Sequence, residues 1–453
     1  MTALQNDVIC ALATPTGIGA IGVIRISGKD CLQLISPIFS KNLADKQSHS
    51  LHFGTISTKN GEIIDEVLIS VFKDGKSFTG EESAEIACHG SNYILQRVLG
   101  LLLEQGCRMA EPGEFTMRAF LNGKMDLSQA EAVADLIASE SKKAHEIALN
   151  QLRGNFSNEL KDLREQLIHF ASLVELELDF SEEDVEFADR TELLNLIIEV
   201  LNVITRLEQS FELGNAIKNG VPVAIVGAPN TGKSTLLNQL LQEDRAIVSN
   251  IAGTTRDVIE ETLNIDGILF RLIDTAGIRE HAEEIEALGI ERSKQKIEQA
   301  KLVLCLADLS VENSLQEVRL WKKELQEKHP SKRIVLIANK ADVLSVELEE
   351  NEISISAKQG QNMEVLKAWM VEQIVQGTDL QNEVVISNVR HRDALTRTRE
   401  ALQQAKIGLE TNITGDFVAM DIRQAMYHLG TITGNISEDD LLANIFSKFC
   451  IGK

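Results

Sequence analysis

Two glycines, a lysine and a serine at fixed spacing carry the first recognisable chemistry in this 453-residue sequence. Residues 221–234, VPVAIVGAPNTGKS, fit G-x-x-x-x-G-K-S/T with Gly227, Gly232, Lys233 and Ser234 in the fixed places. Glycines let backbone N–H groups curl around phosphate oxygens, a lysine reaches the β- and γ-phosphates, and the serine hydroxyl binds magnesium. An apolar run precedes the motif and the helix-forming TLLNQLL follows it, so the loop joins a strand to a helix, and a nucleotide site is favoured over an unliganded Gly-rich turn.

Three further segments fix the base and the γ-phosphate side. Residues 333–342, RIVLIANKAD, end a buried-strand run in Asn339, Lys340 and Asp342, and residues 352–358, EISISAK, end a second one in Ser356, Ala357 and Lys358. The Asp342 carboxylate can accept both the ring N–H and the exocyclic amine of guanine, a donor pair that adenine lacks. Residues 269–277, LFRLIDTAG, deliver Asp274, Thr275, Ala276 and Gly277, with Asp274 supporting magnesium through water. Four motifs in order, each at a strand end, resemble the P-loop GTPase family over roughly 216–378. That resemblance places GTP against Asn230, Thr231, Gly232, Lys233, Ser234 and Thr235 as well as the residues just named.

The elements that position these motifs follow from pattern and punctuation. Residues 1–118 read as α+β, with strand-like runs at 7–14, 20–27, 51–58, 63–72 and 84–88 and a hairpin signal at Lys59-Asn60-Gly61. Helical periodicity covers 92–104 and is expected at 30–39. Arg25 interrupts the apolar run GVIRIS, and two readings stand: a solvent-facing position on a half-buried strand, or a cation that grips a ligand. No proline lies between Pro112 and Pro222 or after Pro330, and 124–213 and 388–449 show helical spacing. Asp126 with Gln129, Ser181 with Asp184 and Ser437 with Asp440 look like helix starts.

The economical fold is multidomain: an α+β N-terminal domain (1–118), a discontinuous all-α helical domain (119–215 and 379–453) and an α/β P-loop GTPase domain (216–378) inserted in it. Gly214 to Gly220 and the region near Gly377 are the expected linkers.

A net charge of −23 and a pI near 4.9 argue against generic nucleic-acid coating, which comes from phosphate neutralisation by Lys and Arg. The six scattered cysteines form no C-x-x-C pair, which suits a reducing compartment without structural zinc. No signal peptide, presequence or membrane span is evident, and a soluble, cytoplasmic protein is expected.

Residues 249–257, SNIAGTTRD, occupy the place of a first switch, where Thr255 is the second expected magnesium ligand. At the second switch the position after the D-T-A-G segment is Ile278, which cannot orient a water. Glu283, Glu284 and Glu286 are the candidates to do so. Asn230 inside the phosphate loop either holds a monovalent cation in place of an arginine finger or only shapes the turn.

The whole order of segments carries a second resemblance: TPTGIGAIGVIRISG at 14–28, FTGEESAEIACHG at 78–90, PGEFTMRAFLNGKMDLSQAEAVADLI at 112–137, the GTPase block, and FCIGK at 449–453. Together these resemble the MnmE/TrmE family of tRNA modification GTPases. HGS at 89–91 departs from the family, which has a second glycine there.

The resemblance implies a homodimer working with an FAD-dependent partner protein as a heterotetramer, acting on carbon 5 of the wobble uridine of certain tRNAs. It implies 5-formyltetrahydrofolate or a related folate on the N-terminal domain, against Arg25, Glu85, Lys124 and Lys453, with Glu81 and Glu82 close to Glu85 in sequence. It implies Cys450 in the modification chemistry and Glu286 as the water-orienting group. It further implies potassium held by Asn230, Ser249, Ile251 and Thr254, and magnesium by Ser234 and Thr255.

Two other functions compete. A ribosome-assembly or signalling GTPase whose flanking domains only bind would carry flanks rich in Lys, Arg or aromatic platforms, which these flanks lack. A folate-dependent one-carbon enzyme with a regulatory GTPase would differ mainly in where catalysis resides.

Overall fold

The computed structural model describes residues 7–179, 190–244, 261–273, 297–344, 346–375, 384–411, 413–436 and 439–452. The chain forms two compact units, Met1–Ala134 with Leu429–Lys453, and Asp135–His428.

In the first unit, β1 (Ile9–Leu12), β2 (Ile21–Ser27), β3 (Ser50–Ser57), β4 (Ile63–Phe72), β5 (Ser83–His89) and β6 (Arg108–Met109) form one sheet in the order β3-β4-β5-β2-β1-β6. Every pairing is antiparallel except β1 with β6. The expected β3–β4 hairpin forms, with Gly61 at φ 81° taking the left-handed conformation that the turn requires.

Val67, Ile69 and Val71 alternate along β4 onto the buried face, where they share a core with Leu32 and Ile35 of α1 (Cys31–Ile35) and Leu95, Val98 and Leu102 of α2 (Asn92–Glu104). The helix expected over 30–39 is shorter: α1 stops at Ile35, and Pro37 sits in a 3-10 turn because its ring and missing N–H do not continue an α-helix. Arg25 of β2 stands in register opposite Glu85 of β5.

Helices α3 (Glu114–Leu121) and α4 (Leu127–Ile137) follow. The α4 start is the reciprocal box that the sequence indicates: Asp126 Oδ1 accepts the Gln129 N–H at 2.9 Å and Gln129 Oε1 accepts the Asp126 N–H at 2.9 Å. The other two expected starts, at Ser181 and Ser437, lie outside the described residues.

The second unit contains α5 (Lys142–Leu152), α6 (Asn155–Asp179), α7 (Arg190–Asn219) and the helix Val389–Glu410. The last two pack together. Glu208 accepts from Thr396 Oγ1 at 2.6 Å and Arg399 Nε at 2.7 Å, and the Arg392 guanidinium lies 4.6 Å from the Phe211 ring centre. Gly214 is not in a linker, as its sequence context suggests, but inside α7. It is small because the Ile386 carbonyl would lie 2.2 Å from any Cβ there, and only Gly220 (φ 77°) turns the chain.

Between these helices in sequence lies a second sheet, β12-β11-β10-β7-β9-β8, built of β7 (Val221–Gly227), β8 (Glu261–Ile265), β9 (Ile268–Leu272), β10 (Leu302–Asp308), β11 (Arg333–Asn339) and β12 (Glu352–Ile355). All pairings are parallel except β8 with β9. All seven β10 residues are buried, as expected for a strand in a sheet with both faces covered. Among the described residues no helix is long and apolar enough to cross a membrane.

One buried charge network in the first unit carries a stability consequence. Glu114 and Arg118 are almost fully buried; Glu114 receives Arg118 at 2.9 Å, Arg108 at 2.6 Å and the Glu111 N–H at 2.8 Å, and Asp7 receives both arginines at 2.6 Å. Burial pushes the Glu114 and Asp7 carboxyls up, but the arginines and, at Glu114, the amide outweigh it and hold both below the usual carboxylate range. Carboxylates lowered on folding stabilise the protein above their unfolded values, and that stability is lost as pH falls through the folded ones. Unfolding midpoints are therefore expected to drop between about pH 5 and pH 3. Glu114→Gln should cost about 3 kcal/mol near neutrality and flatten this acid limb; an acid limb as steep as the parent's would rule the network out as its source.

Candidate functional site

Strand β7 delivers its loop at the carboxyl end of a parallel sheet, the place where such sheets bind ligands. Gly227 (φ 153°) abuts β10, where a Cβ would lie 2.7 Å from the Leu306 carbonyl. Asn230 takes the left-handed conformation at φ 63°, which asparagine tolerates better than most residues. Gly232 (φ 95°) sits so close to Asn339 that a Cβ would be 2.3 Å from its Nδ2.

Lys233 then opens α8 (Lys233–Asp244), and its ammonium donates to the Gly227 and Ala228 carbonyls at 2.9 and 2.6 Å. Ser234 and Thr235 are exposed on the first turn. The curled backbone and helix start fit a polyphosphate, and the Ser234 hydroxyl fits a magnesium ion that takes most of its ligands from phosphate and water. Among the described residues no group of three His, Cys, Asp or Glu is placed to hold a metal.

The guanine-reading end is tied to this loop by one side chain. Asn339, buried at the end of β11, donates from Nδ2 to the Thr231 carbonyl at 2.8 Å and accepts the Ala357 N–H on Oδ1 at 3.1 Å. Asp342 is exposed, and its Oδ1 accepts from the buried Ser356 hydroxyl at 2.6 Å, which aims the carboxylate. Lys340 (φ 68°) donates to Asp308 Oδ2 at 2.5 Å. Burial raises the Asp308 carboxyl, but Lys340 and Ser310 together hold it below its usual range. Asp308 went unnoticed in the sequence; its signal is a lone carboxylate ending an otherwise apolar strand. Lys358 is exposed beside this corner.

In the first unit Arg25 and Glu85 meet. Glu85 Oε1 accepts from Arg25 Nε at 3.0 Å and Nη2 at 2.8 Å, and Arg25 Nη1 lies 3.5 Å from the Gly452 carbonyl. The tail is seated there: the Gly113 N–H donates to the Cys450 carbonyl at 3.4 Å, and a Cβ on Gly452 would lie 2.4 Å from the Leu12 carbonyl. The Cys450 thiol belongs to an exposed residue.

Lys124 Nζ donates to the Gly75 carbonyl at 3.1 Å, and the lysine stem packs beside Gly80. Glu81 and Glu82 face other partners, Ser27 and Lys73 respectively. Lys453, Ser249, Ile251, Thr254, Thr255, Asp274, Thr275, Ala276, Gly277, Glu283, Glu284 and Glu286 lie outside the described residues.

The parallel sheet, its phosphate loop and its Asn-Lys-x-Asp corner define a P-loop GTPase fold. Two family models match, "GTP-binding protein TrmE N-terminus" over residues 8–124 and "MnmE helical domain" over 127–450. A protein named tRNA modification GTPase MnmE from Cytophaga hutchinsonii is 54% identical over 99% of this chain and 98% of its own length; one of the same name from Flavobacterium johnsoniae is 51% identical over 99% and 100%. A solved structure of Aquifex aeolicus Era bound to GDP.AlF4- covers 40% of this chain and 66% of its own, at 26% identity and a TM-score of 0.24, too low for a fold comparison. The chain belongs to the MnmE/TrmE family of tRNA modification GTPases, GTP hydrolases that act in tRNA modification.

Two substitutions test the site geometry. Asp342→Asn replaces the acceptor of guanine's N–H pair and is expected to weaken GTP binding by at least about tenfold while improving xanthosine triphosphate, read with fluorescent nucleotides. Unchanged preference for guanine would remove Asp342 from base recognition. Gly232→Ala forces its new methyl into Asn339 and should weaken GDP and GTP alike.

Proposed function

We propose that this chain is a potassium-activated GTPase that works with an FAD-dependent partner to modify tRNA. The pair installs the aminomethyl or carboxymethylaminomethyl group on carbon 5 of the wobble uridine of certain tRNAs, using a folate one-carbon unit. Beyond family membership, one observation carries the folate part: the Arg25–Glu85 pair, on strands matched by the TrmE N-terminal model, lies against the seated 450–452 tail. A folate bound there, held also by Lys124 and Lys453, supplies the one-carbon unit, and Cys450 takes part in the modification chemistry.

The domain plan is that of the sequence reading: residues 1–118 bind folate and dimerise, 119–215 with 379–453 form the helical domain, and 216–378 form the GTPase inserted in it. The packing of α7 on Val389–Glu410, helices that flank the second sheet in sequence, supports this plan.

During hydrolysis Lys233 exchanges its loop carbonyls for phosphate oxygens, Ser234 and Thr255 ligate magnesium, and Asp342 holds guanine. Glu286 orients the attacking water in place of the missing glutamine. Asn230, with Ser249, Ile251 and Thr254, holds potassium where an arginine finger would otherwise supply charge. The acidic chain leaves most tRNA phosphate contacts to its partner. The setting is the cytoplasm.

GTP turnover in potassium against sodium at equal ionic strength tests this. Potassium is expected to accelerate hydrolysis severalfold, and Glu286→Ala and Asn230→Ala each to abolish that gain while guanine nucleotide still binds. Equal rates in the two salts would sink the cation mechanism.

A further inference from the structure

Eight non-glycine residues among those described take the left-handed backbone conformation, and seven of them are Asn, Asp or His, the types that tolerate it best. The eighth is Lys340, at φ 68°. A lysine has no short polar group to bond its own backbone there, and such a conformation persists only where surrounding contacts hold it.

Those contacts come from the neighbouring strand. The Lys340 ammonium donates to Asp308 Oδ2 at 2.5 Å and to Ser310 Oγ at 3.2 Å. Asp308 ends β10, in register with Asn339 of β11, and its side chain is almost fully buried. Its other oxygen, Oδ1, accepts the Ser310 N–H at 2.9 Å and the Ser310 hydroxyl at 2.6 Å, which fixes the direction in which Oδ2 faces. A buried carboxylate holds its ammonium partner strongly, because letting it go leaves a charge in a poor solvent.

What Lys340 turns is the base-reading segment. The Asn339 carbonyl before it accepts the Leu309 N–H at 3.0 Å, and the Ala341 N–H after it donates to the Ile355 carbonyl at 3.0 Å. With the chain fastened on both sides, the Lys340 dihedrals set the direction in which it leaves β11. The Lys340 carbonyl then accepts the Val343 N–H at 2.9 Å, closing a turn whose central residues are Ala341 and Asp342. A Lys340 relaxed out of the left-handed region would swing Asp342 with it.

We propose that Asp308 is a positioning residue for guanine recognition: it anchors the Lys340 ammonium, and the anchored lysine holds the left-handed turn that presents Asp342 to the base. Asp308 acts through Lys340 and not on the nucleotide. This rests on reading Asp342 as the acceptor of guanine's N–H pair.

Binding of fluorescent GDP and inosine diphosphate to the full chain tests it, because hypoxanthine lacks guanine's exocyclic amine and offers Asp342 one donor instead of two. The parent is expected to prefer GDP by about tenfold, the worth of one bond to a charged acceptor. Asp308→Asn should release GDP faster and cut that preference to about twofold. Adding Lys340→Gly to Asp308→Asn should restore the preference, since glycine takes φ 68° without an anchor, while overall affinity stays below the parent's. Weaker binding of both nucleotides with the preference intact in Asp308→Asn is a general structural loss and overturns the positioning role. So does a preference that Lys340→Gly does not recover.

Should Asp308→Asn fail to fold, Ser310→Ala gives a second readout at an exposed residue. Losing the hydroxyl that orients the carboxylate is expected to lower the preference about twofold, and an unchanged preference overturns the role. A parent that does not distinguish GDP from inosine diphosphate overturns the Asp342 reading and the positioning role together.

Discussion

The second unit depends on one carboxamide. Asn339 spans the two halves of a nucleotide site that are more than a hundred residues apart in sequence, donating to the phosphate loop at Thr231 and accepting from the Ala357 N–H. Both bonds are buried, so neither backbone group has water as an alternative, and loss of either leaves an unsatisfied polar group at a cost of about 1–3 kcal/mol. The same residue explains Gly232, whose missing Cβ is the space that the amide occupies. Loop curvature and base recognition are thus one constraint: the strand that ends in Asn339 also presents Lys340 and Asp342.

The first unit solves a comparable problem with charge. Arg25 projects from a strand whose other face builds the core, and it is held by Glu85, two aromatic rings and the Gly452 carbonyl. Deeper in, Arg118 lies within reach of Asp7, Glu81 and Glu114 at once. A buried guanidinium with several anionic partners is costly to disturb, because removing one partner leaves charge in a poor solvent. That network and the paired hydroxyls of Ser27 and Thr79 share Glu81, so the loop before β5 is tied to the end of β2 by the same carboxylate.

What the sequence made legible was local. The phosphate loop, the Asn339–Asp342 and Ser356–Lys358 segments, the Asp126–Gln129 box and the Lys59-Asn60-Gly61 hairpin depend on residues a few positions apart, and each of these appears where its spacing indicates. Gly214 was misleading because the sequence cannot tell a helix-breaking glycine from one that admits a neighbouring backbone; Ile386, more than a hundred positions away, decides it. Helix α1 is shorter than its apolar periodicity suggests, because Pro37 ends the α-helical hydrogen bonding that the pattern alone would continue. Arg25 and Asn230 each carry two readings in the sequence; the Glu85 partner shows that Arg25 is not simply solvated, and the left-handed backbone of Asn230 fits either of its two. Asp308 was invisible because its meaning lies in a long-range contact, to Lys340 just past the end of the neighbouring strand.

Those contacts also bear on why an acidic GTPase would need added cations. Three side-chain cations near the binding ends are engaged by the protein's own acceptors: Lys233 by the Gly227 and Ala228 carbonyls, Lys340 by Asp308, Arg25 by Glu85. An arriving phosphate must displace the first of these bonds, so the ammonium contributes only the difference between two sets of acceptors. Backbone N–H groups and the α8 start then supply much of the fixed attraction, and they carry partial charges, not whole ones. In a chain of net charge −23 the long-range field opposes a polyanion as well. A site built this way gains more from bound metal ions than one with an unengaged arginine, and this is the electrostatic ground on which magnesium and the proposed potassium belong in it.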